Sequence, residues 1–422
     1  MTKIKPDPNQ ESRDLLTQMG IPKETHDAIL AETMQAKSMD DFFGKDGMMA
    51  KFFGKRIEEL MRAELTGHLG YAKHDALARD FNTSDNYRNG YFPKTVKTSS
   101  GEVVVSVPRD RNGDFESKVL PKGERKTNEL ETRIISMYGR GMTNSDITAH
   151  LLETYGVELS EAEISIITDK ILPEIADWQN RLLDKLYVIL WLDCIHMPIR
   201  IDGKVEQRAV YTALGLNRDG KKEILGMWVS GGAESAKYWM TVLQELKSRG
   251  LEDVLIFCTD GLSGFAESLK AVYPTCIHQK CVIHQIRNSL KYVTSKDQKE
   301  FVTDLKTIYG AGTEAKAKSN LDSVKEKWGK KYPAALKSWY DNWTELSAFF
   351  DFSAEIRKVM YTNNASEALN RQLRKVTKNR SVFPTQDAAL KLLYMAGRNA
   401  SKKWTMAMQN WAPALNQLTI HF

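Results

Sequence analysis

The sequence predicts an α/β protein whose mixed β-sheet is interrupted by an all-helical insertion and preceded by helical and small β-rich modules. Two almost unbroken apolar runs, 187–193 and 254–260, have the length and composition of strands buried on both faces. Two further strand-like segments, 207–216 and 222–229, lie between these runs. The lysine-rich stretch 296–355 has helical character and separates the strands from the last helices.

The predicted order of elements in the core is β-β-β-α-β-α-β-α. The first three strands form a meander, because the turn Asn217–Gly220 separates the second strand from the third. The later elements are a helix at 235–248, the strand at 254–260, a helix at 264–272, a short strand at 275–278 and a helix from about Cys281. This order is typical of a ribonuclease H-like sheet, so we predict that architecture for the core.

A small β module is predicted upstream of the core. Asn89-Gly90 and Ser100-Gly101 are turn signals, and Glu102–Val107 is a short β-branched run. Positions 86–126 carry nine Lys or Arg against five Asp or Glu. We predict that Arg109 and Arg111 contact phosphates here, the alternative being a solvated basic surface.

Residues 126–182 are predicted to form a helix-turn-helix-like DNA-binding domain. A helix over 128–138 ends at a glycine. Thr143 can cap a second helix, and Ser160 can cap a third helix that continues to Leu172. Short helices joined by a tight turn are typical of this motif, although a helical packing unit without DNA contact has the same pattern.

The whole chain then divides into five predicted regions. These are an N-terminal helical region (1–83), a small β-rich module (84–125), a helix-turn-helix-like DNA-binding domain (126–182), a ribonuclease H-like catalytic domain (183–294 and 360–422) and a helical insertion domain (295–359). Trp328, Trp339 and Trp343 in the insertion are predicted to be core residues, with a DNA contact as the alternative.

Composition predicts a folded cytoplasmic protein. Among 422 residues, Lys and Arg outnumber Asp and Glu by 60 to 54, a mild excess that permits nucleic acid as a partner. The four cysteines show no disulfide framework, which indicates reduced thiols. Positions 1–12 are polar and do not resemble a secretory signal, and the longest apolar runs are too short to span a membrane.

Two aspartates mark the ends of the apolar runs. Asp193 closes the first run and Asp260 closes the second. Binding groups gather at the carboxyl ends of parallel strands, and an acid among apolar residues must be solvated, hydrogen-bonded or bound to a cation. For either aspartate alone, a turn-capping role is the ordinary alternative, and Asp260-Gly261 is a good turn pair.

A third acid, Glu367, lies in the first turn of a helix predicted over 363–378, with Asn363 or Asn364 as its cap. The cations on the same helix face are Arg371, Arg374 and Lys378. We predict that Glu367 binds a metal ion and that these cations clamp DNA, whereas a surface ion pair between Glu367 and Arg371 is the alternative.

Three carboxylates in these positions suit phosphodiester transfer. An in-line displacement builds negative charge on the attacking and leaving oxygens, and two Mg²⁺ ions about 4 Å apart can stabilise both. Mg²⁺ takes hard oxygen ligands and needs only a few carboxylates. The candidate catalytic and metal-binding residues are therefore Asp193, Asp260 and Glu367, with Mn²⁺ as a substitute ion.

Several sequence blocks resemble those of the prokaryotic Mutator-type insertion-sequence transposases. Asp193 follows Trp-Leu, and Asp260 lies within Cys-Thr-Asp-Gly-Leu-Ser-Gly-Phe. Cys281 begins the block Cys-Val-Ile-His, and Glu367 ends Tyr-Thr-Asn-Asn-Ala-Ser-Glu. The likeness extends over most of the chain and includes Pro-Arg-Asp-Arg at 108–111.

The resemblance implies a function and its partners. It implies that the three acids hold two Mg²⁺ ions in a ribonuclease H-like core. It also implies binding of double-stranded DNA, both terminal inverted repeats and target, by a homodimer in a synaptic complex. Strand cleavage at the element ends and joining of the 3′-hydroxyl to target DNA are the expected reactions.

The block that begins at Cys281 supports several readings. Cys281 and His284 supply half of a zinc site, and His278 and Cys276 are not expected to complete it. We predict that Cys281 and His284 form a structural or phosphate-contacting pair, with His284 and Arg287 as the DNA contacts, and direct catalytic help from His284 is an alternative.

Two other functions compete with an active transposase. A transposase-derived DNA-binding protein would have lost cleavage, and the intact set of three acids argues against it. A ribonuclease H-like nuclease such as a junction resolvase would hydrolyse DNA without joining ends, and would not require the long DNA-binding region ahead of the core.

Overall fold

The computed structural model describes residues 10–18, 23–35, 39–42, 47–75, 86–353, 356–357, 360, 364–408 and 411–421. They belong to two compact units, which are described separately. The first comprises Met1–Tyr138 and Met142–Thr168, and the second comprises Gly139–Gly141 and Asp169–Phe422. Within the described ranges, no helix is long and apolar enough to cross a membrane.

The first unit combines helices with one hairpin. Its elements, including the two helices that end at its boundary, are α1 (Gln10–Gln18), α2 (Lys23–Gln35), α3 (Met39–Phe42), α4 (Met48–Leu69), β1 (Arg88–Thr98), β2 (Gly101–Asp110), α5 (Asn128–Gly139), α6 (Asn144–Tyr155) and α7 (Glu161–Asp169). The predicted β module is the antiparallel hairpin of β1 and β2. It shares a small core with α4, in which Ala50, Met61, Val96 and Val105 are fully buried.

Both predicted helix caps are confirmed. The Thr143 hydroxyl accepts a hydrogen bond from the Asp146 N–H, and the Asp146 carboxylate accepts one from the Thr143 N–H. Ser160 and Glu163 make the same reciprocal pair at the start of α7. Gly156 ends α6 with a φ of 61°, a conformation that favours glycine. DNA contact by these helices stays a prediction.

The second unit contains the sheet and the remaining helices. Its elements are α8 (Leu172–Asn180), β3 (Leu186–Ile201), β4 (Lys204–Leu216), β5 (Lys222–Val229), α9 (Ala236–Ser248), β6 (Asp253–Thr259), α10 (Phe265–Val272), β7 (Ile277–Lys280), α11 (Val282–Leu290), α12 (Ser295–Tyr309), α13 (Glu314–Trp328), α14 (Pro333–Asp341), α15 (Trp343–Ser347), a 3₁₀-helix (Ala348–Asp351), α16 (Asn364–Thr377), α17 (Gln386–Ser401) and α18 (Trp411–His421).

The sheet of the second unit is mixed, as predicted. Its strands are ordered β5-β4-β3-β6-β7. β4 runs antiparallel to β3 and β5, whereas β6 is parallel to β3 and β7 is parallel to β6. Trp239 and Leu243 of α9 and Leu269 of α10 pack with Phe257 of β6 in a buried cluster on one face. The antiparallel pairing of β3 with β4 and of β4 with β5 confirms the predicted meander.

Several predicted element boundaries were wrong. β4 begins at Lys204 instead of position 207, and β7 spans Ile277–Lys280 instead of 275–278. The helix expected to run to Leu172 ends at Asp169, and a new helix, α8, has Pro173 in its first turn. Proline lacks the N–H that a helix interior requires and is therefore suited to a helix start. The first core strand does not end at Asp193 either, because β3 continues to Ile201.

The end of the apolar run has a structural cause other than the end of the strand. β6 pairs with β3 only as far as the Leu192–Thr259 pair. Beyond this point buried and more exposed residues alternate along β3, with His196 and Arg200 exposed. A strand covered on one face alternates in this way, so its sequence loses the continuous apolar character on which the boundary was predicted.

The predicted insertion is helical. It comprises α12 to α15 and the 3₁₀-helix. Trp328 and Trp339 are buried, as predicted for core residues. Trp343 is half-buried, and its indole N–H donates to the Glu314 carboxylate over 2.8 Å. After the insertion, α16 begins at Asn364 in the described chain, and Asn363, the other predicted cap, lies outside the described residues.

Candidate active site

Asp193 lies in the interior of β3, one residue beyond the last pair between β3 and β6. Its side chain is buried, with the residue only 5% exposed. The backbone N–H of Cys194 donates to Asp193 Oδ1 over 2.8 Å, and the amide of Asn370 donates to Oδ2 over 2.6 Å. Asn370 belongs to α16, so this hydrogen bond joins the helix that carries Glu367 to the strand that carries Asp193.

The electrostatics of Asp193 show that a second acid is near. Burial, followed by the charge of Asp260, raises the pKa of Asp193 to about 7. The Cys194 N–H and the Ser366 hydroxyl act in the opposite direction by stabilising the carboxylate. Two carboxyl groups close enough to affect each other in a buried place carry excess negative charge, which a cation would relieve.

Asp260 directly follows β6, which ends at Thr259, one residue earlier than the predicted strand 254–260. The Cys281 N–H donates to the carbonyl of Thr259 over 2.8 Å, which places the start of α11 beside the end of β6. His284, in the first turn of α11, approaches Asp260 with 2.8 Å between Nδ1 and Oδ1. Burial lowers the pKa of His284, but contacts with Asp260 and Cys281 outweigh it and raise the value to about 10. The imidazolium therefore partly neutralises Asp260.

Glu367 lies in the first turn of α16 and faces α11. Its Oε1 atom is 2.9 Å from Nη2 of Arg287, whose side chain is 57% exposed against 27% for Glu367. This ion pair involves Arg287 and not Arg371, the local partner that the helix spacing suggested. Helix α11 thus presents one cation to Asp260 and, one turn later, another to Glu367.

Three polar residues near the acids, Ser366, Asn370 and Glu234, were not predicted from the sequence. Ser366 and Asn370 are buried polar residues one turn apart on α16, beside the buried Leu369 and Leu373. Polar side chains within the apolar face of a helix are a signal that could have identified them. Glu234, just before α9, is half-buried, and its Oε1 accepts from the Trp239 indole over 2.9 Å. Burial and, to a smaller extent, the charge of Asp260 raise the pKa of Glu234; no sequence pattern indicated this proximity.

The predicted DNA contacts lie on exposed surfaces. Arg371, Arg374 and Lys378 are exposed on or just after α16, on the helix that carries Glu367. In the first unit, Arg109 and Arg111 are exposed, and the Arg109 guanidinium lies 5.7 Å from the centre of the Phe92 ring. These positions are accessible to phosphate, and their contact with DNA stays a prediction.

The described part of the chain does not contain a ligand set for the zinc site that the sequence left open. No three His, Cys, Asp or Glu side chains there are grouped in a way that could hold a metal ion. His278 Nε2 instead lies 2.7 Å from the Thr259 hydroxyl, and burial lowers the pKa of His278 to about 4. The backbone N–H of Cys281 instead contacts the end of β6, and the His284 side chain contacts Asp260.

The oxygen atoms around Asp193 nevertheless fit a hard cation in their chemistry. Glu367 Oε1 and Asn370 Oδ1 are both buried and accept no hydrogen bond from the residues that the structure describes. Such oxygens, with the neighbouring carboxylates of Asp193 and Asp260, are the ligand type that Mg²⁺ prefers. As the side chains stand, Arg287 contacts one of these oxygens, so the acids do not close around a common centre.

Fold and site together define an α/β protein with a mixed five-stranded sheet and two neighbouring aspartates where two parallel strands stop pairing. The late helix that carries Glu367 contacts one of these aspartates through Asn370. The chain belongs to the Mutator family of transposases, whose family model matches residues 24–407.

Curated relatives cover almost the full chain. A probable transposase for an insertion sequence element of Sinorhizobium fredii is 40% identical over 405 residues, which are 96% of this chain and 98% of that protein. A transposase for an insertion sequence element of Rhizobium meliloti has the same identity and the same coverage of both chains. Among solved structures, the Drosophila P element transposase strand transfer complex is similar at 13% identity over 71% of this chain and 86% of that chain, with a TM-score of 0.29.

Proposed function

We propose that the chain is a DNA transposase that binds the terminal inverted repeats of an insertion sequence, cleaves a strand at each end and joins the 3′-hydroxyl to a target phosphodiester. Family membership supports transposition as the process. The strand order β5-β4-β3-β6-β7 supports a ribonuclease H-like core, in which a meander is followed by two parallel strands.

The observation that carries the proposal is the arrangement of the three acids. Asp193 and Asp260 are close enough for the charge of one to raise the pKa of the other. Glu367 is on the same helix as Asn370, which hydrogen-bonds Asp193 over 2.6 Å. Two segments 177 positions apart in the chain therefore meet at Asp193, and one of them is the helix that carries Glu367, which supports a shared role for the three acids.

Asp193, Asp260 and Glu367 would hold Mg²⁺, or Mn²⁺ in its place. When bound, the ions would supply charge stabilisation for the attacking and leaving oxygens of the phosphodiester. The chain itself orients the ligands, since Asn370 and the Cys194 N–H fix both oxygens of Asp193. The ion pair between His284 Nδ1 and Asp260 Oδ1, which are 2.8 Å apart, orients Asp260.

DNA binding would use separate parts of the chain. The ends of the element would be bound by Arg109 on the hairpin, by Arg111 directly after it, and by the helices α5 to α7. Arg371, Arg374 and Lys378 would lie along the strand that is cut, with His284 and Arg287 near the phosphate. We also propose a homodimer that brings two ends together, and a cytoplasmic location beside the nucleoid.

The test is a reaction with labelled duplexes from the element ends, target DNA and Mg²⁺. Joined products support the proposal, nicked products alone indicate a nuclease, and binding without reaction indicates a DNA-binding protein. Asp193→Ala, Asp260→Ala and Glu367→Ala should each abolish cleavage and leave DNA binding nearly intact. A variant with activity within about tenfold of wild type would remove that acid from the site.

A further inference from the structure

Helix α11 contacts two of the three acids with cations that are three positions apart. His284 approaches Asp260 over 2.8 Å, and Arg287 approaches Glu367 over 2.9 Å. The two pairs differ in accessibility, because the His284 side chain is 25% exposed and the Arg287 side chain is 57% exposed. Arg287 is therefore the partner that can leave its acid most easily.

The Arg287–Glu367 pair occupies an oxygen that a metal ion would need. Glu367 Oε1 is buried and accepts no hydrogen bond from the described residues, and the Arg287 guanidinium is its close cationic neighbour. A guanidinium at that distance repels a metal ion and blocks its approach to the same oxygen. Arg287 and a metal ion therefore compete for Glu367.

A DNA phosphate is a better partner for Arg287 than Glu367 is. Ion pairs as exposed as this one contribute little to stability. A guanidinium binds a phosphate with two parallel hydrogen bonds, which are stronger than one contact to a carboxylate oxygen. On DNA bound over the acids, Arg287 would gain by moving from Glu367 to the phosphate.

We propose that Arg287 is a positioning residue that exchanges Glu367 for a DNA phosphate, so that DNA binding and metal binding strengthen each other. The inference rests on the proposed function, since it assumes that DNA and metal meet at these acids. Coupling between two ligands is reciprocal, so each raises the affinity of the other by the same factor. The exchange would delay full metal loading until a substrate is in place.

The experiment measures Mn²⁺ affinity with and without DNA. Mn²⁺ is added to the full chain, alone and with a duplex taken from the end of the element. The concentration of free Mn²⁺ is measured from its electron paramagnetic resonance signal. For the wild type, DNA should raise Mn²⁺ affinity by at least about fivefold. For Arg287→Gln, affinity without DNA should rise and the additional gain from DNA should largely disappear.

Two further variants separate exchange from a general charge effect. Lys291→Gln removes the same charge from the end of the same helix, where the Lys291 ammonium donates to Asn288 over 2.8 Å. It should keep the wild-type coupling. Arg287→Lys retains the charge without the two-pronged geometry, so it should compete with Mn²⁺ but recover only part of the coupling to DNA.

The possible results distinguish failure of the exchange from failure of the proposed function. Equal effects of Arg287→Gln and Lys291→Gln, or full coupling in Arg287→Gln, would overturn the exchange while leaving the proposed function intact. Mn²⁺ binding that is unchanged by Asp193→Asn would instead show that the acids are not a metal site, and both proposals would fall. Because Arg287 is largely exposed, unfolding of its variants is not expected, and a thermal melt of each one verifies this.

Discussion

Asp193 is the most buried of the three acids, and its burial determines how it responds to pH. Burial and the charge of Asp260 raise its pKa to about 7, far above the ordinary range of an aspartate. The unfolded chain ionises this group several pH units earlier. A raised pKa in the folded state therefore contributes stability at low pH that is lost as pH rises through about 7.

The first prediction follows from this sign. In a buffer containing a metal chelator, the free energy of unfolding of the wild type should fall by about 1 kcal/mol between about pH 6 and pH 8 through Asp193 alone. Asp193→Asn removes the titration and should flatten this part of the profile. Urea unfolding of both proteins across the range provides the measurement. Parallel profiles would show that Asp193 is ionised throughout.

We expect Asn370 to influence the proposed reaction through Asp193. Its amide donates to Asp193 Oδ2 over 2.6 Å, so it orients the carboxylate that is proposed to bind metal. We expect Asn370→Ala to slow single-turnover cleavage by about 10- to 100-fold, the usual cost of losing a partner that orients a metal ligand. DNA affinity should remain close to that of the wild type.

Gln372→Ala is the matched control for Asn370→Ala. Gln372 is exposed on the same helix, two positions further on, and should cleave at the wild-type rate. If the two variants behaved alike, Asn370 would be a packing residue with no influence on Asp193.

At the scale of elements, α16 has one buried face that contacts Asp193 and one exposed face that carries cations. Its buried face, with Ser366 and Asn370, contacts Asp193, and Glu367 at the edge contacts Arg287. Its exposed face carries Arg371 and Arg374. Because Glu367 pairs with Arg287, Arg371 remains available for phosphate, which favours the clamp over a local Glu–Arg surface pair.

We therefore expect Arg371→Ala to slow cleavage more than it weakens DNA binding. A hydrogen bond to an ionised phosphate oxygen near the cut is worth roughly 1.5–3 kcal/mol. Arg371→Lys should restore only part of the rate, because lysine has no two-pronged geometry. Single-turnover rates and thermal melts on the same variants provide the measurement. Normal cleavage by Arg371→Ala would leave Glu367 in the site and remove the clamp.

The strands that position the other two acids differ in length, and this difference brings Asp193 and Asp260 to the same level of the sheet. β6 ends at Thr259, whereas its neighbour β3 continues for nine more residues after Leu192. Asp193 consequently loses its parallel neighbour strand at the same level at which Asp260 leaves the sheet. The start of α11, anchored by Cys281 on Thr259, covers the gap with His284.

At the scale of the whole molecule, DNA binding should depend steeply on salt. The net charge is only +6, so the response reflects the clustered cations rather than the total. Lysine and arginine release counterions from DNA, so affinity should fall sharply between about 50 and 200 mM salt. Arg109→Gln should reduce the slope of log affinity against log salt by about 1.

The control for the salt experiment is Lys185→Gln. Lys185 is exposed, pairs with Glu252 over 2.9 Å and belongs to none of the proposed DNA-binding groups. It should leave the slope unchanged. A flat salt dependence in the wild type would mean that the basic surfaces do not meet phosphate.

The sequence by itself determined the features that depend on neighbours in the chain. Continuous apolar runs predicted the buried strands, and Thr143 and Ser160 predicted two helix starts, because capping and strand burial leave local patterns. The position of Asp260 at the carboxyl end of β6 was predicted to within one residue, and Glu367 was predicted in the first turn of its helix. The apolar-run pattern failed at Asp193. Beyond this residue β3 is buried on one face only, so its sequence resembles the end of a strand although the strand continues to Ile201.

Only the tertiary structure decided which groups meet. Glu367 has Arg371 one turn away on its own helix, yet its partner is Arg287, 80 positions earlier. Asn370 reaches Asp193 and His284 reaches Asp260 for the same reason. Helical spacing specifies which side chains share a face, but packing of α11 and α16 against the strands determines what that face contacts. Contacts between distant segments leave no periodic trace in a single sequence, because they depend on the arrangement of whole elements.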